Sequence, residues 1–321
     1  MRFPSTFRLS AIAALLPLFG IAYEASGFGT INLPLSGQNS EHERITRLGL
    51  TDFGKDTLSE LAGDNGTFGA VGAPDNPARG LMSKAAAHCD GADFLSPPVV
   101  PASPAYPQSK AQAQANLEAC RSWMSAALEQ AVKAAAPLAK PGAISTSLHC
   151  AFTGKPGRAK CEVLEQLGLV LHAAQDFYSH SNWVDQPAPS PVSAINPPGL
   201  GQPGRAPWLD LRETQAFPDG LITGCYDGFP ESAHCEYAGL KRAKHAALNK
   251  DTGTIQKSGD PSGSTPRGKV NGNFARAVRA AVDDTQDKWK YFQERVIAVY
   301  GTDAGRVIIC AVRSDKATRC K

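Results

Sequence analysis

Apolar residues recur at helical spacing along much of this chain, whereas strand-like alternation is weak throughout. The spacing predicts helices over five segments: 40–62, 109–139, 159–180, 236–248 and 274–299. A capping-box pattern at Ser40 and Glu43 marks the first helix start, and Gly301 marks the last helix end. Loops rich in proline or glycine separate the helices. We therefore predict an all-α fold, a single helical domain with long inserted loops.

The chain begins with the pattern of a secretory signal peptide. Arg2 and Arg8 precede an apolar stretch at 11–22, which is shorter than the roughly 18 residues needed to cross a membrane. Small residues permit cleavage after Ala22 or as late as Gly27. We therefore expect residues 1–22 to be removed, leaving a secreted protein of residues 23–321 without a transmembrane span. A retained N-terminal anchor is the alternative interpretation.

Eight cysteines follow this leader, and an even number in a secreted chain indicates disulfides. Eight cysteines allow about 105 pairings, so the connectivity stays open. Proximity in sequence favours Cys150–Cys161, Cys225–Cys235 and Cys310–Cys320, which leaves Cys89–Cys120. No C-x-x-C motif occurs, which argues against a thiolate zinc site.

The charge balance gives no sign of a basic nucleic-acid groove. Lys and Arg number 33 and Asp and Glu number 30, for a net charge of +3. Residues 263–270 resemble a phosphate-binding loop, but Val270 stands where Ser or Thr would bind magnesium. The absence of a G-x-S-x-G motif removes support for an α/β-hydrolase.

Three ligand-type side chains lie in register on the third predicted helix. His172, Asp176 and His180 are four residues apart, so each step turns by only about 40° and all three share one stripe. Gln175 and Ser179 fall on or beside this stripe, and the opposite side of the helix is apolar. Burying imidazoles and a carboxylate costs free energy unless a partner replaces their contacts with water. A metal ion is such a partner, and these groups are natural ligands for zinc. A hydrogen-bonded His–Asp pair in a helical core is the alternative.

Other histidines are candidates to complete such a site. They are His42 in the first helix, His88 beside Asp90 and Asp93, and His245 ahead of Asp251. His149 and His234 each adjoin a cysteine, and we interpret them as disulfide-loop residues.

The string HAAQDFYSHSNW, from His172 to Trp183, resembles the L-H-x-x-Q-D-F-Y-S-H-S-N-W signature of the heterokaryon-incompatibility protein C (Het-C) family. The signature also occurs in the N-terminal region of certain von Willebrand factor A domain-containing proteins. Shorter resemblances lie at 28–34, at 88–90 and at 245–251. That group is similar to zinc-dependent phospholipases C and single-strand-specific zinc nucleases, which are all-α enzymes with a three-zinc cluster. The resemblance implies a phospholipase C-like metal-binding domain over 23–321.

The resemblance also implies roles for the candidate ligands of two or three zinc ions. Asp176 would bridge two of them beside His172. His88 and Asp90 would complete one of these two sites, and His42 with the new N-terminal residue would complete the other.

The third zinc would be held by His180, His245 and Asp251. Here the sequence departs from the enzymes, which place the next histidine six residues after the bridging aspartate rather than four. The carboxylate also follows His245 at a wider spacing than in the enzymes. The enzymes usually begin with Trp, where this chain offers Tyr23 or Phe28.

The implied function is hydrolysis of a phosphodiester, with Asp90 or Asp93 orienting or deprotonating the attacking water. A phospholipid is favoured over a nucleic acid because the chain is nearly neutral, and it would require contact with a membrane surface. The alternative is a secreted, metal-stabilised Het-C-like recognition protein without turnover. A helical protein held by disulfides alone, without a metal, is the third interpretation.

Overall fold

The structure is a computed structural model that describes residues 27–33, 37–64, 67–140, 149–226, 235–237, 239–256 and 258–321. The predicted signal peptide, residues 1–22, and His234 lie outside these residues. The fold of the described part is mostly helical, as the sequence predicts, with only short strands. No helix in this part combines the length and the apolar composition that a membrane span requires.

The described residues form nine α-helices, three of which are single turns of four residues. In chain order they are α1 (Glu41–Gly49), α2 (Lys55–Ala62), α3 (Ala85–His88), α4 (Lys110–Ala134), α5 (Ala159–His180), α6 (His245–Leu248), α7 (Pro266–Lys269), α8 (Asn273–Tyr300) and α9 (Thr302–Arg313). The strands are β1 (Asn32–Leu33), β2 (Gln38–Asn39), β3 (Glu236–Tyr237), β4 (Leu240–Lys241), β5 (Gly253–Thr254) and β6 (Ser262–Gly263). They pair as three antiparallel hairpins, β1–β2, β3–β4 and β5–β6.

Helix α5 is the centre of the core. Every residue from Leu167 to His180 is buried, because α4, α8 and α9 pack on its sides. Gly168 lets a loop approach closely, since a Cβ there would lie 2.3 Å from the carbonyl oxygen of Ala70. This contact brings the 3₁₀ turn Ala73–Asp75 against the helix.

The long helices agree closely with the sequence prediction. Helix α4 begins after Ser109, whose side chain forms a capping box with Gln112. Helix α5 has the predicted bounds, and α8 ends where Gly301 takes a φ of 80°. These three helices carry most of the apolar core.

The prediction was wrong in two segments. The helix expected over 40–62 is two helices, α1 and α2, separated at 50–54, and Ser40 adopts a left-handed φ of 53° without capping through its side chain. The helix expected over 236–248 is confined to α6, and the β3–β4 hairpin precedes it. Gly239, with a φ of 78°, supplies the turn that a helix would not allow.

The three cysteine pairs favoured by sequence proximity, Cys150–Cys161, Cys225–Cys235 and Cys310–Cys320, are present, and so is the remaining pair, Cys89–Cys120. The Cys89–Cys120 pair ties the segment after α3 to α4, and so fixes the neighbourhood of His88 and Asp90. The disulfide at Cys235 also explains why β3 begins where a helix was expected.

Candidate metal centre

Nine buried or partly buried ligand-type side chains converge at one end of α5. They are His42 from α1, Asp75 from a 3₁₀ turn, His88 from α3 with nearby Asp90, His172, Asp176 and His180 from α5, His245 from α6, and Asp251. Asp75 is the most exposed of them, with 15% of its side chain accessible. The predicted stripe on α5 therefore forms the floor of a cluster of five imidazoles and four carboxylates.

The two carboxylate oxygens of Asp176 face different partners. Oδ2 lies 2.9 Å from Nδ1 of His88 and 3.0 Å from Nε2 of His172. Oδ1 lies 3.1 Å from Nε2 of His42 and accepts a hydrogen bond of 3.1 Å from the backbone N–H of Phe28. The side chain thus has one oxygen in each of two adjacent groups of donors.

Asp75 belongs to the first of these groups. Its Oδ1 lies 3.8 Å from Nδ1 of His88 and 3.8 Å from Nε2 of His172. The hydroxyl of Thr30 donates a hydrogen bond to its other oxygen. Asp75, His42 and His172 also form a compact set of three potential ligands.

A further group surrounds His180. Its Nδ1 lies 2.9 Å from Oδ1 of Asp90 and 3.0 Å from the carbonyl oxygen of His88, and its Nε2 lies 3.4 Å from Oδ1 of Asp251. Nε2 of His245 lies 3.2 Å from Oδ2 of the same Asp251. Asp90, His180 and His245 form another compact set of potential ligands.

The segment before α1 lies directly on the cluster. Gly27 has a φ of 155°, and a Cβ there would lie 2.6 Å from both carboxylate oxygens of Asp176. Phe28 follows as a fully buried side chain, and its ring meets His42 edge to face at 6.0 Å. The backbone at 27–28 therefore fills the space next to one oxygen of Asp176.

The electrostatics keep two of the carboxylates, those of Asp176 and Asp251, ionised despite burial. Burial alone would raise the pKa of Asp176, but the charges of His172 and His42 hold that pKa well below its usual range. Burial would likewise raise the pKa of Asp251, but the charge of His245 helps to lower it to about 2. Anionic oxygens in a buried site are the ligand form that a divalent cation requires.

Some donors of the cluster are hydrogen-bonded to one another, such as Nδ1 of His88 with Oδ2 of Asp176 at 2.9 Å, whereas others have no hydrogen-bond partner among the described residues, which a bound cation would supply. His42 Nε2 and His180 Nε2 each lie near a carboxylate, Asp176 and Asp251, yet neither nitrogen is aligned for a hydrogen bond among the described residues. Both oxygens of Asp90 are also buried without a hydrogen bond there. Two ligands on one tetrahedral zinc lie about 3.4 Å apart, because each is about 2.0–2.1 Å from the ion. The contacts of Asp176, at 2.9–3.1 Å, are shorter than this, so the fit to zinc rests on the mix of imidazole and carboxylate, which are both natural zinc ligands.

The eight ligands predicted from the sequence all lie in this cluster, but Asp90 is grouped differently. The resemblance placed it beside His88 in the first group, whereas its carboxylate faces His180. Asp75 takes the place expected for Asp90. The sequence analysis missed Asp75 because it lies in an irregular loop, where no periodicity marks a ligand.

Asp93, the second candidate catalytic acid, is not in any of these groups. Its carboxylate pairs with the guanidinium of Arg242 and accepts a hydrogen bond from the hydroxyl of Tyr106. Both oxygens therefore have partners outside the ligand groups, and the catalytic role of Asp93 stays a prediction. His149 is exposed beside the Cys150–Cys161 disulfide, as interpreted from the sequence.

Comparison with known families identifies one matching segment. The family model of the VWA7 N-terminal domain matches residues 158–205, which cover α5 and the loop after it. The match includes His172, Asp176 and His180. The resemblance to the N-terminal region of von Willebrand factor A domain-containing proteins is thus confirmed for this segment. No curated protein and no solved structure matches the chain.

Proposed function

We propose that this chain is a secreted, zinc-dependent phosphodiester hydrolase of the Het-C and phospholipase C type. The observation that carries the proposal is Asp176, whose oxygens face His88 and His172 on one side and His42 on the other. A carboxylate so placed suits a bridge between two metal ions. The four disulfides and the predicted signal peptide support secretion.

Three zinc sites account for the cluster. Asp75, His88, His172 and Asp176 would hold the first ion, and His42 with Asp176 would hold the second. The third would be held by His180, His245 and Asp251, with Asp90 close by. When bound, zinc lowers the pKa of water and polarises a phosphoryl oxygen.

The N-terminal amine that signal cleavage produces would complete the second site. If the signal peptide is cleaved after Gly27, the nitrogen of Phe28, 3.1 Å from Asp176, becomes a free amine. The same cut removes Gly27 from its contact with the Asp176 carboxylate. Cleavage after Ala22 would instead leave Gly27 beside the Asp176 carboxylate, and this crowding supports the proposal of the later position.

Two side chains have proposed roles in the chemical step. Asp90 lies beside His180 with both oxygens free of hydrogen bonds among the described residues, and we assign it the orienting of the attacking water. Asp75 is the partly exposed member of the cluster, and it marks the side from which a phosphodiester would approach.

A phospholipid is the favoured substrate class. Val192 and Ile195 have 42% and 77% of their surface exposed, in the loop after α5. Ile195 lines a cavity of about 380 Å³ together with Ala246 and Ala247, which directly follow the proposed ligand His245. Exposed apolar side chains near a site suit contact with a membrane surface.

A second function, metal-stabilised recognition without turnover, has one observation in its favour. Most of the ligand-type side chains are fully buried, and four protein groups surround the third site. Structural zinc sites are closed by protein ligands, whereas catalytic sites keep an open position.

The test is zinc content and hydrolysis measured on the same preparation of secreted, processed protein. Two or three zinc ions per chain together with zinc-dependent release of a phosphorylated head group from phosphatidylcholine vesicles would support the hydrolase. Zinc without turnover of vesicles, single-stranded DNA or bis(p-nitrophenyl) phosphate would support recognition instead. Protein folded without zinc, after expression with zinc supplied, would contradict both functions.

A further inference from the structure

Gln175 lies where three helices meet, one residue before the proposed bridging carboxylate. Its side chain is fully buried between α1, α5 and α8. The amide oxygen lies 2.7 Å from Nδ1 of His42. The amide nitrogen donates hydrogen bonds of 3.0 Å to the hydroxyl of Thr46 on α1 and of 3.0 Å to the hydroxyl of Thr285 on α8. All three partners are buried as well.

With the Gln175 amide in this orientation, the geometry determines which nitrogen of His42 carries the proton. Both hydrogens of the Gln175 amide are used by the threonines, so its oxygen is the atom left to face His42. A carbonyl oxygen can only accept a hydrogen bond, so Nδ1 of His42 must carry the N–H. The lone pair of the neutral ring is then on Nε2, the atom 3.1 Å from Oδ1 of Asp176.

We propose that Gln175 is a positioning residue that holds His42 in the Nδ1–H tautomer and so presents Nε2 as a metal ligand. The inference rests on the proposed zinc cluster and adds a residue that does not touch the ion. Metal-ligating histidines commonly donate their other N–H to such a fixed acceptor. Thr46 and Thr285 act on His42 through Gln175, because they hold its amide in the required orientation.

The opposite amide orientation would have the reverse effect. An amide nitrogen facing Nδ1 would donate to it and put the ring proton on Nε2, where no lone pair would remain for zinc. The two threonine hydroxyls could donate to the amide oxygen in that arrangement. The identity of the atom facing His42 is therefore the point that an experiment must decide.

Two substitutions at Gln175 separate the orientations. Gln175→Glu supplies oxygens that accept a hydrogen bond from Nδ1, whereas Gln175→Met fills similar volume without an acceptor. Zinc binding to the metal-free, processed protein is measured by competition with a chromogenic chelator. We expect Gln175→Met to weaken the affected zinc equivalent by about 10- to 100-fold, and Gln175→Glu to retain an affinity near that of the unaltered chain.

Tyr178→Phe is the matched control. It removes a buried polar group from the same helix, since the Tyr178 hydroxyl bonds to Asp284 on α8, away from the cluster. We expect it to lower thermal stability and to leave zinc affinity unchanged. Thr285→Val replaces Gln175→Met if that variant does not fold, and we expect a smaller loss of zinc affinity from it.

Each outcome bears on the inference. Equal weakening by Gln175→Met and Gln175→Glu would show that size and packing matter rather than the acceptor, and would overturn it. Unchanged affinity in Gln175→Met, or in Thr285→Val where it is used, would also overturn it. If the unaltered chain binds no zinc, the proposed function fails first, and that result is distinct from a failure confined to Gln175.

Discussion

The backbone nitrogen of Phe28 lies 3.1 Å from Oδ1 of Asp176, although the two residues are 148 positions apart in the chain. The contact joins the start of the described chain to the C-terminal part of the central helix. It places a backbone nitrogen at the one oxygen of Asp176 that otherwise faces only His42. An amide nitrogen does not ligate zinc readily, whereas a terminal amine does, so on the proposed function the position of signal cleavage would decide whether this nitrogen is a ligand.

We expect the secreted protein to begin at Phe28. Intact-mass measurement and N-terminal sequencing of the protein from the culture medium would check this. A version bearing one extra alanine before Phe28 should bind about one zinc ion fewer, because the amine is displaced from Asp176. A mature chain that begins at Tyr23 and holds a full complement of zinc would contradict the role of the amine.

Asp176→Asn should lower zinc content and thermal stability together. The substitution keeps the shape of the side chain but removes the charge that both donor groups share, and metal binding is linked to folding. Elemental analysis and thermal unfolding with and without a chelator measure the two effects. Retention of full zinc content and full stability would show that Asp176 does not bridge.

Asp93→Asn is the control for that experiment. It should destabilise the fold, because it removes the charge that pairs with the Arg242 guanidinium. Zinc content should not change, because Asp93 lies in none of the ligand groups of the described residues. A loss of zinc would mean that the Asp93–Arg242 pair supports the cluster after all.

Asp75→Asn tests the ligand that sequence analysis missed. Asp75 lies 3.8 Å from nitrogens of both His88 and His172, so its loss should weaken the first site alone. We expect about one zinc equivalent to bind at least 10-fold more weakly, while the others are unaffected. Equal weakening of every zinc equivalent would indicate a general loss of packing instead.

Sequence reasoning found the part of the site that helical periodicity determines. His172, Asp176 and His180 share one face of α5 because residues four apart always do in a helix. Asp75 could not be found in this way, since its position depends on Gly168 letting a distant loop approach α5. The grouping of Asp90 with His180 depends on the same kind of long-range packing.

The fold, like the site, was predicted correctly where local sequence determines it and wrongly where distant contacts do. The long helices α4, α5 and α8 were predicted because the local sequence determines their apolar faces and their ends. The segment 236–248 has a helix-like composition, but the disulfide of Cys235 and the turn at Gly239 impose a hairpin. Tertiary constraints of this kind override local propensity.

Lys160 gives a prediction for pH dependence away from the metal site. Its side chain is buried at the start of α5 and donates hydrogen bonds to the Thr57 hydroxyl and to the carbonyl oxygen of Ser314. Burial lowers the pKa of Lys160 to about 8, although Asp315 opposes the shift. The unfolded chain, with a lysine pKa near its usual value of about 10.4, binds more protons than the folded chain between these values.

Because the unfolded state binds more protons there, the contribution of Lys160 to stability should rise as the pH increases from about 8 to about 10.4. Below pH 8 the buried charge opposes folding by a constant amount. Denaturant unfolding of the unaltered protein and of Lys160→Met at pH 7.5 and pH 10 would measure the difference between the two free energies. We expect the unfolding free energy of the unaltered protein, relative to that of Lys160→Met, to be larger at pH 10 than at pH 7.5. If the difference between the two proteins stays constant or changes the other way, Lys160 keeps an ordinary pKa.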